Sequence, residues 1–204
     1  MKYATFIALL LVACGGSSSN APAQQVRQKA DVGLVAFVGD SITQLWPLND
    51  YVVNVINAGA SGEESGQMLR RFQNVVDAKP LTVVILAGTN DIRHLDSADP
   101  ANLFAMVKMA RDAGIRVIVG TVPPMDINMG SYPAVEKELV IVLNDKIRKG
   151  AIANDYEVAD YHEAFILMGG AMNTTLYADA YLHPNHAGYD AMWGVLEPIL
   201  THAK

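Results

Sequence analysis

Three residues of this chain have the types needed to turn a hydroxyl group into a nucleophile. Ser41 stands in the stretch "GDSIT", His183 in "HPN", and Asp179 lies four residues before His183. A serine hydroxyl attacks poorly until a base takes its proton, and an imidazole is a suitable base. A carboxylate on the far side of the ring fixes the tautomer and stabilises the protonated form; Asp179 is the nearest in sequence. Attack on a carbonyl carbon creates an oxyanion, which needs donors already in place. The candidates are the Ser41 backbone N–H at a helix start, an N–H beside Gly62, where no Cβ stands in the way, and the Asn90 side-chain amide. Each residue also has a plainer reading. Ser41 or Asp40 can serve as a helix cap, Asn90 as a turn residue and Gly62 as relief for a tight turn. Asp40 and Asp91 read as structural residues, one holding the turn before Ser41 and the other capping a short turn.

These residues need elements that bring them together. Apolar runs predict strands at 34–38, 52–56, 81–86 and 115–120, with a weaker one at 156–160. The third and fourth are continuously apolar, as strands covered on both faces are. Helical periodicity lies between them. Leu69, Phe72 and Val76 share a face after "SGEES". Asp99-Pro100 opens a helix with Leu103, Val107 and Ala110 on its stripe, closing at Gly114. Val135, Leu139, Val142 and Ile147 mark a helix over 133–153. Tyr189, Met192, Trp193 and Leu196 mark another over 186–200, with Pro198 limiting its end. Alternating strands and helices predict a parallel sheet with right-handed crossovers in one α/β domain. Ligands bind such sheets at the carboxyl ends of the strands. The clusters "GDSIT", "NAGASGEES", "GTNDIR" and "DAYLHPNHAGY" follow strand ends or precede a helix, so one rim would carry all four.

These four blocks resemble the SGNH hydrolases, the GDSL-type esterases and lipases. The matching positions are Ser41 in "GDSIT", Gly62 in "GASG", Asn90 in "GTND" and His183 in "HPN", in the family's order from Gly39 to Tyr189. The resemblance implies a three-layer α/β/α, flavodoxin-like fold with a parallel five-stranded sheet. It also implies hydrolysis of carboxylic esters through an acyl-serine intermediate, with no metal and no cofactor. Its oxyanion hole would be Ser41, Gly62 and Asn90. One departure stands out: the family usually has Asp three residues before the His, and position 180 here is Ala. Either the loop bulges so that Asp179 still reaches the imidazole, or another group, such as a backbone carbonyl, orients His183. No insertion is large enough to form a lid, so short-chain acyl esters such as acetylated sugars are the expected substrates. Two alternatives share the fold: an O-acyltransferase acting on cell-envelope sugars, and a non-catalytic glycan-binding module.

Bulk properties narrow the field. The chain has 204 residues, 51% hydrophobic and 18% charged, in the range of a globular domain with a substantial core. A net charge of -6 disfavours nucleic acid and anionic membrane surfaces as partners. "GASGEESG" lacks the spacing and the Lys of a phosphate loop. His183 and His186 form an "HxxH" near Asp179, but without the further Cys, Glu or His that a metal site needs. His186 is expected to face solvent. His94 follows the Asn90 block and is read as a cleft or surface residue. Trp46 is read as core, and Met125 and Met129 as possible walls of an acyl pocket.

The N-terminus reads as targeting sequence. "MKYATFIALLLVAC" has one Lys and a short apolar run, too short to span a membrane and fitting an export signal over 1–13. "LVAC" resembles the bacterial lipobox, which makes Cys14, the sole cysteine, the expected lipidation site. "GGSSSNAPAQQ" opens a flexible tether over 14–30, and the hydrolase domain is expected at 31–204, exported and held at the cell envelope.

Overall fold

A computed structural model of the chain describes residues 27–95, 97–125, 134–179 and 182–202. The expected export signal, Cys14, residues 15–26 of the tether and Met129 lie outside the described residues. Among the described residues, five parallel strands form one sheet: β1 (Val35–Gly39), β2 (Val55–Gly59), β3 (Thr82–Leu86), β4 (Arg116–Gly120) and β5 (Glu157–Ala159). Their order is β2-β1-β3-β4-β5, the flavodoxin-like arrangement. The connecting helices are α1 (Ser41–Gln44), α2 (Ser65–Asp77), α3 (Thr89–Leu95), α4 (Ala101–Asp112), α5 (Ala134–Asn154), α6 (Tyr161–Ala164) and α7 (His186–Thr201).

Side chains alternate across a strand, so the central strands feed two cores. Ala36, Val38, Val83, Ile85, Val117 and Val119 face α2, α4 and α5. Val35, Phe37, Val84, Leu86 and Ile118 face a second cluster built from Ile42, Trp46, Tyr51 and the α7 residues Met192, Trp193, Leu196 and Leu200. This is the expected three-layer α/β/α architecture.

Several elements differ from their sequence expectation. β2 begins three residues later than expected and runs on through Asn57, Ala58 and Gly59. Val52 makes only an isolated bridge to Ala30, while Asn57 is held by the turn after β1, donating to Thr43 C=O at 2.9 Å. Gly59 passes under α1: a Cβ there would stand 2.3 Å from the Gln44 amide nitrogen. In α2 the buried line is Met68, Phe72 and Val75, with Leu69 and Val76 only partly covered, a phase change of one residue. In α5 the buried apolar residues are Val140, Leu143 and Ile147, and Val142 is 37% exposed. Apolar residues fill positions 139–143 consecutively, so periodicity alone could not set the phase. Val135 lies outside the side chains described. Pro198 sits inside α7 and does not end it.

Candidate active site

β1 is buried throughout and ends at Gly39. The chain then turns at Asp40, whose Oδ1 accepts the Ile42 N–H at 2.9 Å and caps α1. The turn leaves Ser41 as the first residue of α1, just beyond the carboxyl end of β1. Its Oγ lies 2.9 Å from His183 Nε2, across 142 residues of sequence. On the other side of the ring, His183 Nδ1 is hydrogen-bonded to Asp179 Oδ2. A carboxylate only accepts, so the hydrogen belongs on Nδ1 and Nε2 is left to accept from the Ser41 hydroxyl. Asp179 therefore reaches the imidazole from four residues away. Its other oxygen, Oδ1, accepts the backbone N–H groups of His183 at 3.0 Å and Leu182 at 3.2 Å. Partial burial works against its charge, but the His183 and Leu182 N–H groups and the imidazole outweigh it and hold the carboxyl below its ordinary range.

The histidine loop is fastened by Asn185, which the sequence reading quoted in "HPN" and gave no part. Its Oδ1 accepts from Gly188 N–H and caps α7, while its Nδ2 donates to the carbonyls of Thr175 and Tyr177. The signal was the Asn directly before the helical pattern. Tyr189 adds a further tie, its hydroxyl donating to Ile42 C=O at 3.0 Å and joining α7 to α1.

The loop between β2 and α2 carries Gly62, and Asn90, at the start of α3, is bonded to it on the same rim. Ala60 N–H donates to Gly39 C=O at 2.9 Å, and Ser61 N–H to Gln44 Oε1 at 2.8 Å. Gly62 has φ +77°, a left-handed conformation that favours glycine. A Cβ there would meet nothing within 4 Å, so conformation and not packing against the protein calls for the glycine, in keeping with its reading as a tight-turn residue. Asn90 is buried and donates one amide hydrogen to Glu63 C=O at 3.0 Å. Arg93 donates to its Oδ1 at 3.1 Å, which fixes the amide orientation. The second amide hydrogen makes no bond among the described residues.

Asp91 caps no short turn of its own. It accepts the backbone N–H of Ser65 at 2.8 Å and also the Ser65 hydroxyl, which clamps α3 to the first residue of α2. Arg71 pairs with Glu63 at 2.6 Å and reaches Gly39 C=O at 3.4 Å, a second clamp that sequence gave no reason to single out.

The remaining candidates fall outside this arrangement. His186 is 77% exposed and faces Asp190, so the two histidines of "HxxH" serve different carboxylates. His94 is exposed beside Glu64. Trp46 is core, its ring against Phe37, Tyr51, Tyr161 and Tyr189. Met125 lines a cavity of about 450 Å³ beyond the ends of β4 and β5, with Val140, Ile166 and Met172 among its other walls. Ser41, His183 and Asn90 are not among those walls.

An imidazole oriented by a carboxylate, a serine hydroxyl at its other nitrogen and a fastened loop of N–H donors can together carry out acyl transfer. Comparison with known proteins points the same way. Residues 37–191 match the GDSL-like lipase/acylhydrolase family. A GDSL-like lipase from Bacteroides thetaiotaomicron VPI-5482 superposes with a TM-score of 0.71 at 27% identity, covering 83% of this chain and 88% of that one. A candidate acylhydrolase from Bacteroides fragilis NCTC 9343 gives 0.70 at 29% identity, covering 82% and 86%. An acetylxylan esterase from Geobacillus stearothermophilus shares the fold, with a TM-score of 0.67 at 18% identity over 84% and 95%. No curated protein matches the sequence. With the family model spanning most of the chain, this protein belongs to the GDSL-like lipase/acylhydrolase family of the SGNH hydrolase superfamily and is a carboxylic ester hydrolase.

Proposed function

We propose that the protein is a serine esterase acting on short-chain acyl esters, acetyl esters foremost, through an acyl-serine intermediate. The observation that carries this reading is the line of hydrogen bonds from Asp179 through His183 to Ser41 Oγ. His183 Nε2 takes the Ser41 proton as Oγ bonds to the ester carbonyl carbon. The carbonyl oxygen becomes an oxyanion, met by the Ser41 and Gly62 backbone N–H groups and by the spare hydrogen of Asn90. His183 then gives its proton to the departing alcohol oxygen as the C–O bond breaks, leaving the acyl group on Ser41. Water repeats the sequence: His183 takes its proton, the hydroxide attacks, and the acid leaves as Ser41 regains its hydrogen. Asp179 stays ionised throughout and stabilises the imidazolium.

The bond between Asp179 and His183 supports a working site over a disabled one. Acetyl esters are the first substrates to try, since a neighbour of the same fold is an acetylxylan esterase. The test compares wild type with Ser41→Ala on p-nitrophenyl acetate and labels the protein with an organophosphonate. The substitution is expected to lower kcat/KM at least about 1,000-fold, and the label to be found on the Ser41 peptide. Equal rates for the two proteins would overturn the reading.

A further inference from the structure

Asp40 is a carboxylate that the mechanism above leaves without a part. It is fully buried between Gly39 and Ser41. Oδ1 is satisfied by the Ile42 N–H, but Oδ2 makes no hydrogen bond among the described residues. The Thr89 hydroxyl, buried at the start of α3 beside Asn90, also has none, and it is the hydroxyl that faces this carboxylate. Capping alone does not call for such an arrangement, because Ser or Asn caps a helix as well without burying a charge.

We propose that Asp40 is a positioning residue: its buried carboxylate bridges the turn that carries Ser41 to Thr89 and hence to Asn90, and its charge favours the proton that His183 takes from Ser41. The inference rests on the serine esterase reading above. Among the described residues, His183 in the loop before α7 acts on Asp40, Tyr189 on α7 feels the charges of both Asp40 and Asp179, and Arg71 of α2 reaches the C=O of the neighbouring Gly39. Burial pushes the Asp40 carboxyl up to about 6, while the Ile42 N–H, the Thr89 hydroxyl and charge on His183 pull the other way. Protonating Asp40 removes the charge that acts on His183 and costs activity.

Two variants read this coupling in opposite directions. Asp40→Asn keeps the cap and removes the charge. Its KM on p-nitrophenyl acetate is expected to stay within about twofold and its kcat to fall by about tenfold or more. The acid limb of its kcat/KM profile is expected to move to lower pH by about half a unit or more. Thr89→Val withdraws a group that favours ionised Asp40, so its acid limb is expected to move to higher pH. A structural role alone would lower the plateau or the Tm and leave the limb in place. Limbs at the wild-type pH in both variants would overturn the inference. If Asp40→Asn does not fold, Thr89→Val decides by the same criterion. Ser41→Ala run alongside separates the two levels: retained activity there refutes the esterase reading, whereas an unmoved limb with inactive Ser41→Ala refutes only the part given to Asp40.

Discussion

At the scale of single residues, the site sets two carboxylates in opposite environments. Asp179 is partly open to solvent and surrounded by N–H donors, which keep it charged. Asp40 is sealed from solvent, and burial raises its carboxyl from 3.8 to about 6. The consequence for stability has a definite sign. Between about pH 4 and pH 6 the folded chain holds a proton on Asp40 that the unfolded chain has already released. Raising the pH through this window therefore weakens the fold, and above it the full cost, about 3 kcal/mol, is present. Asn carries no such charge. Asp40→Asn is thus expected to be more stable than wild type at pH 7–8 and to lose that advantage below about pH 4. Thermal unfolding at the two pH values checks this. A variant equal to wild type at pH 8 would mean that Asp40 is ionised without penalty. Higher stability with lower turnover is the trade expected where a strained group serves the reaction.

At the scale of elements, the site is built from turns held in place by side chains that do no chemistry. The loop from Ala60 to Glu64 is tied to Gly39, Gln44, Asn90 and Arg71. Within it Gly62 holds a left-handed φ. Gly62→Ala puts a Cβ in open space, so steric crowding is not the cost. The left-handed conformation is, at about 1 kcal/mol. The variant is expected to fold with a slightly lower Tm and to lose about tenfold in kcat as the loop relaxes, with KM changed far less. Steady-state kinetics beside a melting curve would show it, and unchanged kcat would remove Gly62 from the proposed oxyanion donors. Sequence made part of this legible. The residue types and their order were plain, as were β3 and β4, whose apolar runs are uninterrupted. β2 was misplaced because an edge strand carrying Asn and Gly lacks that signature. The clamps Arg71–Glu63 and Asp91–Ser65 had no signal, since both depend on contacts between distant segments.

At the scale of the whole molecule, parallel topology separates reaction from structural support. All strands point the same way, so the loops carrying Ser41, Gly62 and Asn90 gather at one end, and α7 begins there at His186 and finishes at the other. The three-layer architecture followed from the alternation of strands and helices. The reach of Asp179 did not, because its spacing differs from the resembling family and only folded geometry shows the bond to His183. The far end of the sheet holds its own polar cluster. Arg116, the first residue of β4, donates to both carboxylate oxygens of Glu157 on β5, at 2.7 and 3.1 Å. The same guanidinium reaches the carbonyls of Ile199 at 2.6 Å and Leu200 at 3.2 Å, closing the end of α7. Arg116→Met keeps the aliphatic stem while removing Glu157's guanidinium and the donors to both carbonyls. The loss is expected to be about 2–3 kcal/mol, since a largely buried ion pair and two helix-end bonds go together. Because this cluster lies a full strand length from Ser41, kcat and KM measured well below the unfolding transition are expected to match wild type. Urea denaturation and ester kinetics on the same preparation give both numbers. Reduced turnover in the fully folded variant would mean that the far end of α7 governs the position of His183, and that the two ends of the sheet are coupled.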